Sequence, residues 1–110
     1  MALTLDDCTE LLRLGREGNR IIAIGHELRV SSLWGKVKAL IDEVAIGRPL
    51  HGLIELWRKP YRLGAEGWRY DKSRVGDWIL EEPIHFFDLA RWYLQQAGEP
   101  VSIFAAGSVV

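Results

Sequence analysis

Sulfur is nearly missing from this chain: Cys8 is the one cysteine. A lone thiol excludes an intrachain disulfide and any thiolate metal cluster, and it fits a reducing, cytoplasmic setting. A charge of one dominant sign is missing too. The 14 basic and 15 acidic residues are spread along the chain and leave a formal net charge of -1. Nothing electrostatic therefore points to nucleic acid or an acidic membrane surface as partner. No apolar stretch approaches the ~20 residues that span a bilayer. The opening "MALTLDD" lacks the basic start and apolar run of a signal peptide. His26, His51 and His85 are scattered with no HxxxH pair, so no metal site is expected. No serine sits in a GxSxG turn, and Cys8 falls on the apolar face of its helix, which leaves nucleophilic catalysis without support.

What is present is a core in outline. Of the 110 residues, 48% are apolar and five are tryptophan, enough for one small packed domain. Thr4, followed three residues later by Asp7, begins a helix in the manner of a capping box. Leu5, Cys8, Leu11 and Leu12 give it one apolar face, and Gly15 and Gly18 mark its end. "RIIAIG" reads as a buried strand. Ser31 or Ser32 caps a second helix, with Trp34, Val37, Leu40, Ile41 and Val44 at helical spacing, stopped by Gly47 and Pro49. "LHGLIELWR", residues 50–58, reads as a second strand. Residues 59–77 are polar and aromatic and look like an irregular loop, of a length usually tied to function or mobility. A third helix runs to about Gln96, with Pro83 in its first turn or at a kink. "PVSIFAAG" is a last strand. The expected fold class is α+β, three helices and three main strands in the order α-β-α-β-α-β, with an incomplete sheet.

The third helix carries the chemistry-bearing residues. Positions i, i+4 and i+7 share a helix face, so Glu81, His85 and Asp88 project together if the helix includes residue 81. A carboxylate beside an imidazole fixes its tautomer and favours its charged form, as a general acid/base requires. By spacing alone a structural histidine is the commoner outcome, by about three to one.

Four phrases in order, "IIAIGHELR", "LIDEVAIGRPL", "GWRYD" and "GDWILEEPIHFFDLARWYL", resemble the Gfo/Idh/MocA family of NAD(P)-dependent sugar and polyol oxidoreductases. The resemblance runs from about Ala2 to Gly107. It implies that His85 is the catalytic histidine, exchanging a proton with a substrate hydroxyl while hydride moves to or from nicotinamide. Glu81 falls on the usual aspartate of D-x-x-x-H, one methylene longer. Asp88 matches the acid that follows the histidine and orients it. Trp68 and Arg69 match a "W-R" pair that approaches the cofactor, NAD or NADP; a loop aromatic and a solvated arginine are the equal alternative. His26 falls where a polar residue lies near nicotinamide or substrate, and Arg29 in the same turn binds an anion or forms a structural ion pair. Tyr70 and Lys59 are further lining candidates. Val44 stands where the family's "G-x-I-G-x-P" phrase has glycine.

Departures from the family are equally informative. No G-x-G-x-x-G is present to cradle a pyrophosphate, and the family's E-K-P lysine is absent. The resemblance therefore implies a middle segment: residues 1–28 from the end of a Rossmann domain, 29–110 from the start of an α+β substrate domain. Its strands need neighbours. Self-association into a homodimer or larger, exchange of elements, or a sheet completed by another polypeptide would supply them. Three functional readings follow. The first is an oxidoreductase segment, inactive alone, with a sugar or polyol as the family's substrate. The second is a non-catalytic association or dimerisation module. The third is a cofactor-free acid/base enzyme. For the acid/base role, His85 is expected to have a carboxylate within hydrogen-bond reach and a ring open to a cleft.

Overall fold

A computed structural model of the chain describes residues 2–57, 59 and 62–108. Arg58, at the end of the expected second strand, lies outside the described residues, as does Pro60 of the expected loop.

Thr4 starts helix α1, Leu5–Glu17. Its hydroxyl accepts from the Asp7 amide at 3.1 Å and donates to the Asp7 carboxylate at 2.7 Å, so Thr4 is a side-chain N-cap steadied by the residue three positions on. Asp6 and Asp7 lie at the electropositive end of the helix dipole. Gly15, expected at the helix end, is instead inside it and buried against Ile22. The absent Cβ lets the chain after the helix fold back, and Gly18 is the C-cap.

A short 3-10 turn, Glu27–Val30, leads into α2, Ser32–Asp42. This helix stops earlier than Gly47. The Ala45 amide donates to the Leu40 carbonyl and the Val44 amide to that of Ile41. These bonds close the helix as a Schellman cap, which puts Val44 at the left-handed position, φ +56°. The segment expected to be an irregular loop is partly ordered: a 3-10 turn, Ala65–Tyr70, precedes helix α3, Lys72–Val75. Asp71 caps α3 by accepting from the Ser73 amide at 3.0 Å.

The expected third helix is two. Asp77 caps α4, Trp78–Glu81, by accepting from the Leu80 amide at 2.9 Å. Helix α5, Pro83–Tyr93, then starts anew with Pro83 in its first turn. Proline has no N–H with which to continue a helix ladder, and Glu82, at φ −130° and ψ −54°, turns the axis between the two. A 3-10 turn, Gln95–Ala97, follows α5.

The α+β expectation with three main strands is overturned. The described residues are helical and contain no strand or sheet. Segments 20–25, 48–57 and 100–108 carry the apolar residues expected of strands but have no paired neighbour. Strand structure is an exchange of backbone hydrogen bonds between two segments, so an apolar pattern without a partner leaves an extended chain. Ile21, Val101 and Phe104 are 98%, 99% and 92% exposed.

Burial concentrates where α5 crosses α2 and the 27–30 turn. Ile41 and Leu89 are 4% and 3% exposed there. The Tyr93 hydroxyl donates to the Trp34 carbonyl at 2.8 Å, tying α5 to the start of α2, and burial raises the Tyr93 phenol above its ordinary value. Lys38 is buried on α2 with its ammonium on the Asp42 carboxylate. The radius of gyration is 16.7 Å, against about 13 Å for a compact chain of this length. A small helical core thus holds extended arms that bury little of their own apolar surface.

Candidate functional site

The polar centre of the molecule lies where the 27–30 turn meets one face of α5. Arg29 Nε and Nη2 donate to Asp88 Oδ2 and Oδ1 at 2.7 and 2.8 Å, a bidentate pair. The guanidinium also lies over the Trp92 ring, with Cζ 5.4 Å from the centroid. Asp88 and Trp92 are four residues apart on α5, so one helix face presents both the anion and the ring that receive Arg29. The Arg29 guanidinium holds the Asp88 carboxyl below the usual carboxylate range. The same bond raises Arg29 above its ordinary value.

Asp88 also reaches His26, whose Nε2 lies 3.8 Å from Oδ1. That separation is too long for a hydrogen bond and short enough for a substantial Coulombic interaction. His26 meets His85 edge to face, with ring centroids 5.8 Å apart and planes at 85°. His85 lies in the first turn of α5, where its amide donates to the Glu82 carbonyl at 3.0 Å. The Nδ1 atoms of both histidines are buried without a hydrogen-bond partner among the described residues. A buried imidazole nitrogen left without a partner is most easily tolerated as a lone-pair acceptor on a neutral ring.

The break at Glu82 places Glu81 on α4 and not on α5. Its Oε1 lies 3.4 Å from Arg69 Nε, which joins the 65–70 turn to the approach to α5. Arg69 in turn lies 5.8 Å from the Trp68 ring centroid. The expected residues therefore form two linked groups: His26, His85, Asp88 and Arg29 in one, Glu81, Arg69 and Trp68 in the other. The continuous helix on which the grouping of Glu81 with His85 was conditional is interrupted at Glu82. His51 lies elsewhere, in an apolar groove with Trp34, Phe86 and Leu89.

A cleft of about 590 Å³ opens beside Arg29 and Asp88, bounded by Trp92, Gln95 and Glu99. It approaches the cluster from the Asp88 side, and neither histidine lines it. Asp88 was expected to orient His85 and Arg29 to bind an anion or form a structural ion pair; among the described residues Asp88 instead meets Arg29 and His26, and His85 Nδ1 has no hydrogen-bond partner. The bidentate pairing of Arg29 with Asp88 was not anticipated. The available signal was Trp92, four residues after Asp88, which offers a stacking platform for an arginine.

Among the described residues, no three histidine, cysteine or carboxylate side chains converge as a metal site would require. No helix among them is long and apolar enough to cross a membrane.

Comparison with known proteins places these residues in context. The profile of the GFO/IDH/MocA C-terminal domain matches residues 34–110, which include most of α2, all of α4 and α5, and His85. The chain is 28% identical over 97 residues to 1,5-anhydro-D-fructose reductase of Ensifer adhaerens, covering 86% of this chain and 28% of that protein. It is 25% identical over 111 aligned residues to the putative oxidoreductase YteT of Bacillus subtilis (strain 168), covering 99% of this chain and 26% of the relative. The chain thus spans about a quarter of the length of these curated relatives. No solved structure matches it significantly. With the family profile covering residues 34–110, and two oxidoreductase relatives aligning across most of the chain, the chain belongs to the GFO/IDH/MocA oxidoreductase family.

Proposed function

We propose that this chain supplies part of the active site of an NAD- or NADP-dependent oxidoreductase acting on a CH–OH group of a sugar or polyol. In this reading His85 exchanges a proton with the reacting hydroxyl. The observation that carries it is the edge-to-face contact of His85, on α5, with His26, which in turn lies 3.8 Å from the Asp88 carboxylate. Imidazoles titrate near neutrality, and a proton-exchanging group works best where its protonation can change at the working pH.

The described residues do not fit a whole dinucleotide. A pyrophosphate is held by a glycine-rich turn that joins a strand to a helix N-terminus, whereas Gly15 and Gly18 lie at the C-terminal end of α1. Trp68, Arg69 and His26 are at most contacts to the cofactor's nicotinamide end. In this reading residues 1–28 close a nucleotide-binding domain and 29–110 begin the substrate domain. The exposed apolar arms are then covered by further sheet, from a second copy or from more of the same protein.

The test is a pair of measurements. Reduced cofactor is titrated against the chain by fluorescence, and turnover is assayed with 1,5-anhydro-D-fructose, the compound named in one relative, and with other sugars. In a preparation that turns over, His85→Asn is expected to lower kcat about 10²–10⁴-fold with KM little changed. A variant within a few-fold of the parent refutes the proton-exchange role. The association reading is favoured instead by a concentration-dependent dimer in sedimentation together with no cofactor binding.

A further inference from the structure

Three residues of α5, His85, Asp88 and Trp92, fall at positions i, i+3 and i+7 and so share one helix face. Two residues at the preceding 3-10 turn meet that face. His26, the N-cap of the turn, lies edge to face with His85. Arg29 forks onto Asp88 and covers the Trp92 ring. The Arg29 amide donates to the His26 carbonyl at 3.1 Å. The two contact points are thus joined by one closed turn of backbone, and where Arg29 goes His26 follows.

Little else holds His26 in place. The Glu27–Val30 turn contains no buried side chain, and Val30 is 88% exposed. Segment 20–25, which leads into His26, has no paired neighbour among the described residues. On its other side the turn runs into α2, which Tyr93 ties to α5 at Trp34, but that tie lies beyond Arg29 as seen from His26. The edge-to-face ring contact is weak, and the 3.8 Å approach of His26 to Asp88 is too long for a hydrogen bond. The guanidinium–carboxylate fork is the strongest of these contacts. It fixes direction as well as distance, because both groups are planar. The Trp92 ring adds a third point, so the turn neither slides along α5 nor swivels on it.

We propose that Arg29 and Asp88 are positioning residues whose fork sets the place of His26 against His85. Asp88 then serves His26 by way of Arg29, and does not orient His85 directly: His85 Nδ1 has no hydrogen-bond partner among the described residues. In the oxidoreductase reading, on which this consequence rests, His26 belongs to the portion that closes the nucleotide-binding domain and His85 to the portion that begins the substrate domain. The fork stands at that boundary and keeps a residue of the nicotinamide side in register with the proton-exchanging ring. Reaction between two bound partners depends on alignment of this kind.

The experiment is nuclear Overhauser NMR on the full chain and three variants. It reads the cross-peak between the ring protons of His26 and His85 beside those that join α2 to α5. The parent is expected to show both; absence of the His26–His85 cross-peak there overturns the proposal without any mutation. In Arg29→Met, which keeps the apolar stem, that cross-peak is expected to be lost while the α2–α5 cross-peaks persist. Its survival overturns the proposal. Loss of both sets together also overturns it, because the pair then holds the fold in general and not His26 in particular. Asp88→Asn keeps the shape of the acceptor and removes its charge, and is expected to weaken the His26–His85 cross-peak; unchanged intensity overturns the proposal. Arg29→Lys keeps the charge and loses the fork, so its cross-peak is expected to fall between those of the parent and Arg29→Met. Equality with the parent shows that the fork is not what positions His26, and overturns the proposal. These readouts need neither turnover nor cofactor, so failure of the positioning role is distinguishable from failure of the oxidoreductase reading, which the His85→Asn assay tests.

Discussion

Arg29 and Asp88 are 59 residues apart in the chain and share two hydrogen bonds, at 2.7 and 2.8 Å. This pair fastens the 27–30 turn to the helix that carries His85. Its stability contribution depends on pH with a definite sign. Asp88 is held below its ordinary value of 3.8, chiefly by the Arg29 hydrogen bonds. A carboxyl lowered by folding stabilises the protein above its unfolded pKa, and loses that contribution as pH falls through the folded value. Arg29 is 46% exposed, so solvent screens the pair and its worth lies near the bottom of the range for charged hydrogen bonds. Asp88→Asn is expected to cost about 1 kcal/mol near neutral pH, a difference that shrinks towards zero in acid. Urea titrations at the two pH values check this; a cost that persists undiminished in acid contradicts it.

Val44 occupies a left-handed backbone position, φ +56°, at the end of α2. A β-branched residue is strained there by roughly 1–2 kcal/mol. The side chain is exposed, so little burial is lost on removing it. Val44→Gly is therefore expected to stabilise the chain by about 1 kcal/mol, after allowing for the added freedom of the unfolded chain. A lowered melting temperature would show that Val44 has a packing role instead.

Gly76 joins α3 to α4 at φ +80°, and a Cβ there would meet Leu80 Cδ1 at 2.8 Å. Backbone strain and crowding act in the same direction. Gly76→Ala is expected to destabilise by about 1–3 kcal/mol. Because α4 leads into α5, the His85 ring resonances are expected to shift in this variant as well.

Leu89 is 3% exposed at the crossing of α5 and α2. With few buried side chains among the described residues to share the loss, Leu89→Ala is expected to cost about 2–4 kcal/mol. Tyr93→Phe removes one hydrogen bond to the Trp34 carbonyl and is expected to cost about 1 kcal/mol. Denaturant titrations that rank Tyr93→Phe above Leu89→Ala would mean that the helix crossing is held by polar contacts and not by apolar burial.

The amino-acid sequence by itself determined the local structure. Thr4 and Asp7 specify where α1 begins, because a side-chain cap involves only neighbours in the chain. The periodicity of Trp34, Val37, Leu40 and Ile41 marks α2 for the same reason. The order of motifs identified the family, and His85 as the residue to examine. Strands were legible only as apolar patterns: segments 20–25, 48–57 and 100–108 have the composition and lack the pairing neighbours that turn it into sheet. Tertiary structure decided the rest. Pro83 could have kinked one helix or begun another, and the backbone at Glu82 settled on two, with Glu81 on α4 and His85 on α5. The pairing of Arg29 with Asp88, and of His26 with His85, depends on how a turn docks against α5. Contacts across nearly sixty residues follow from packing in three dimensions, which no local spacing encodes.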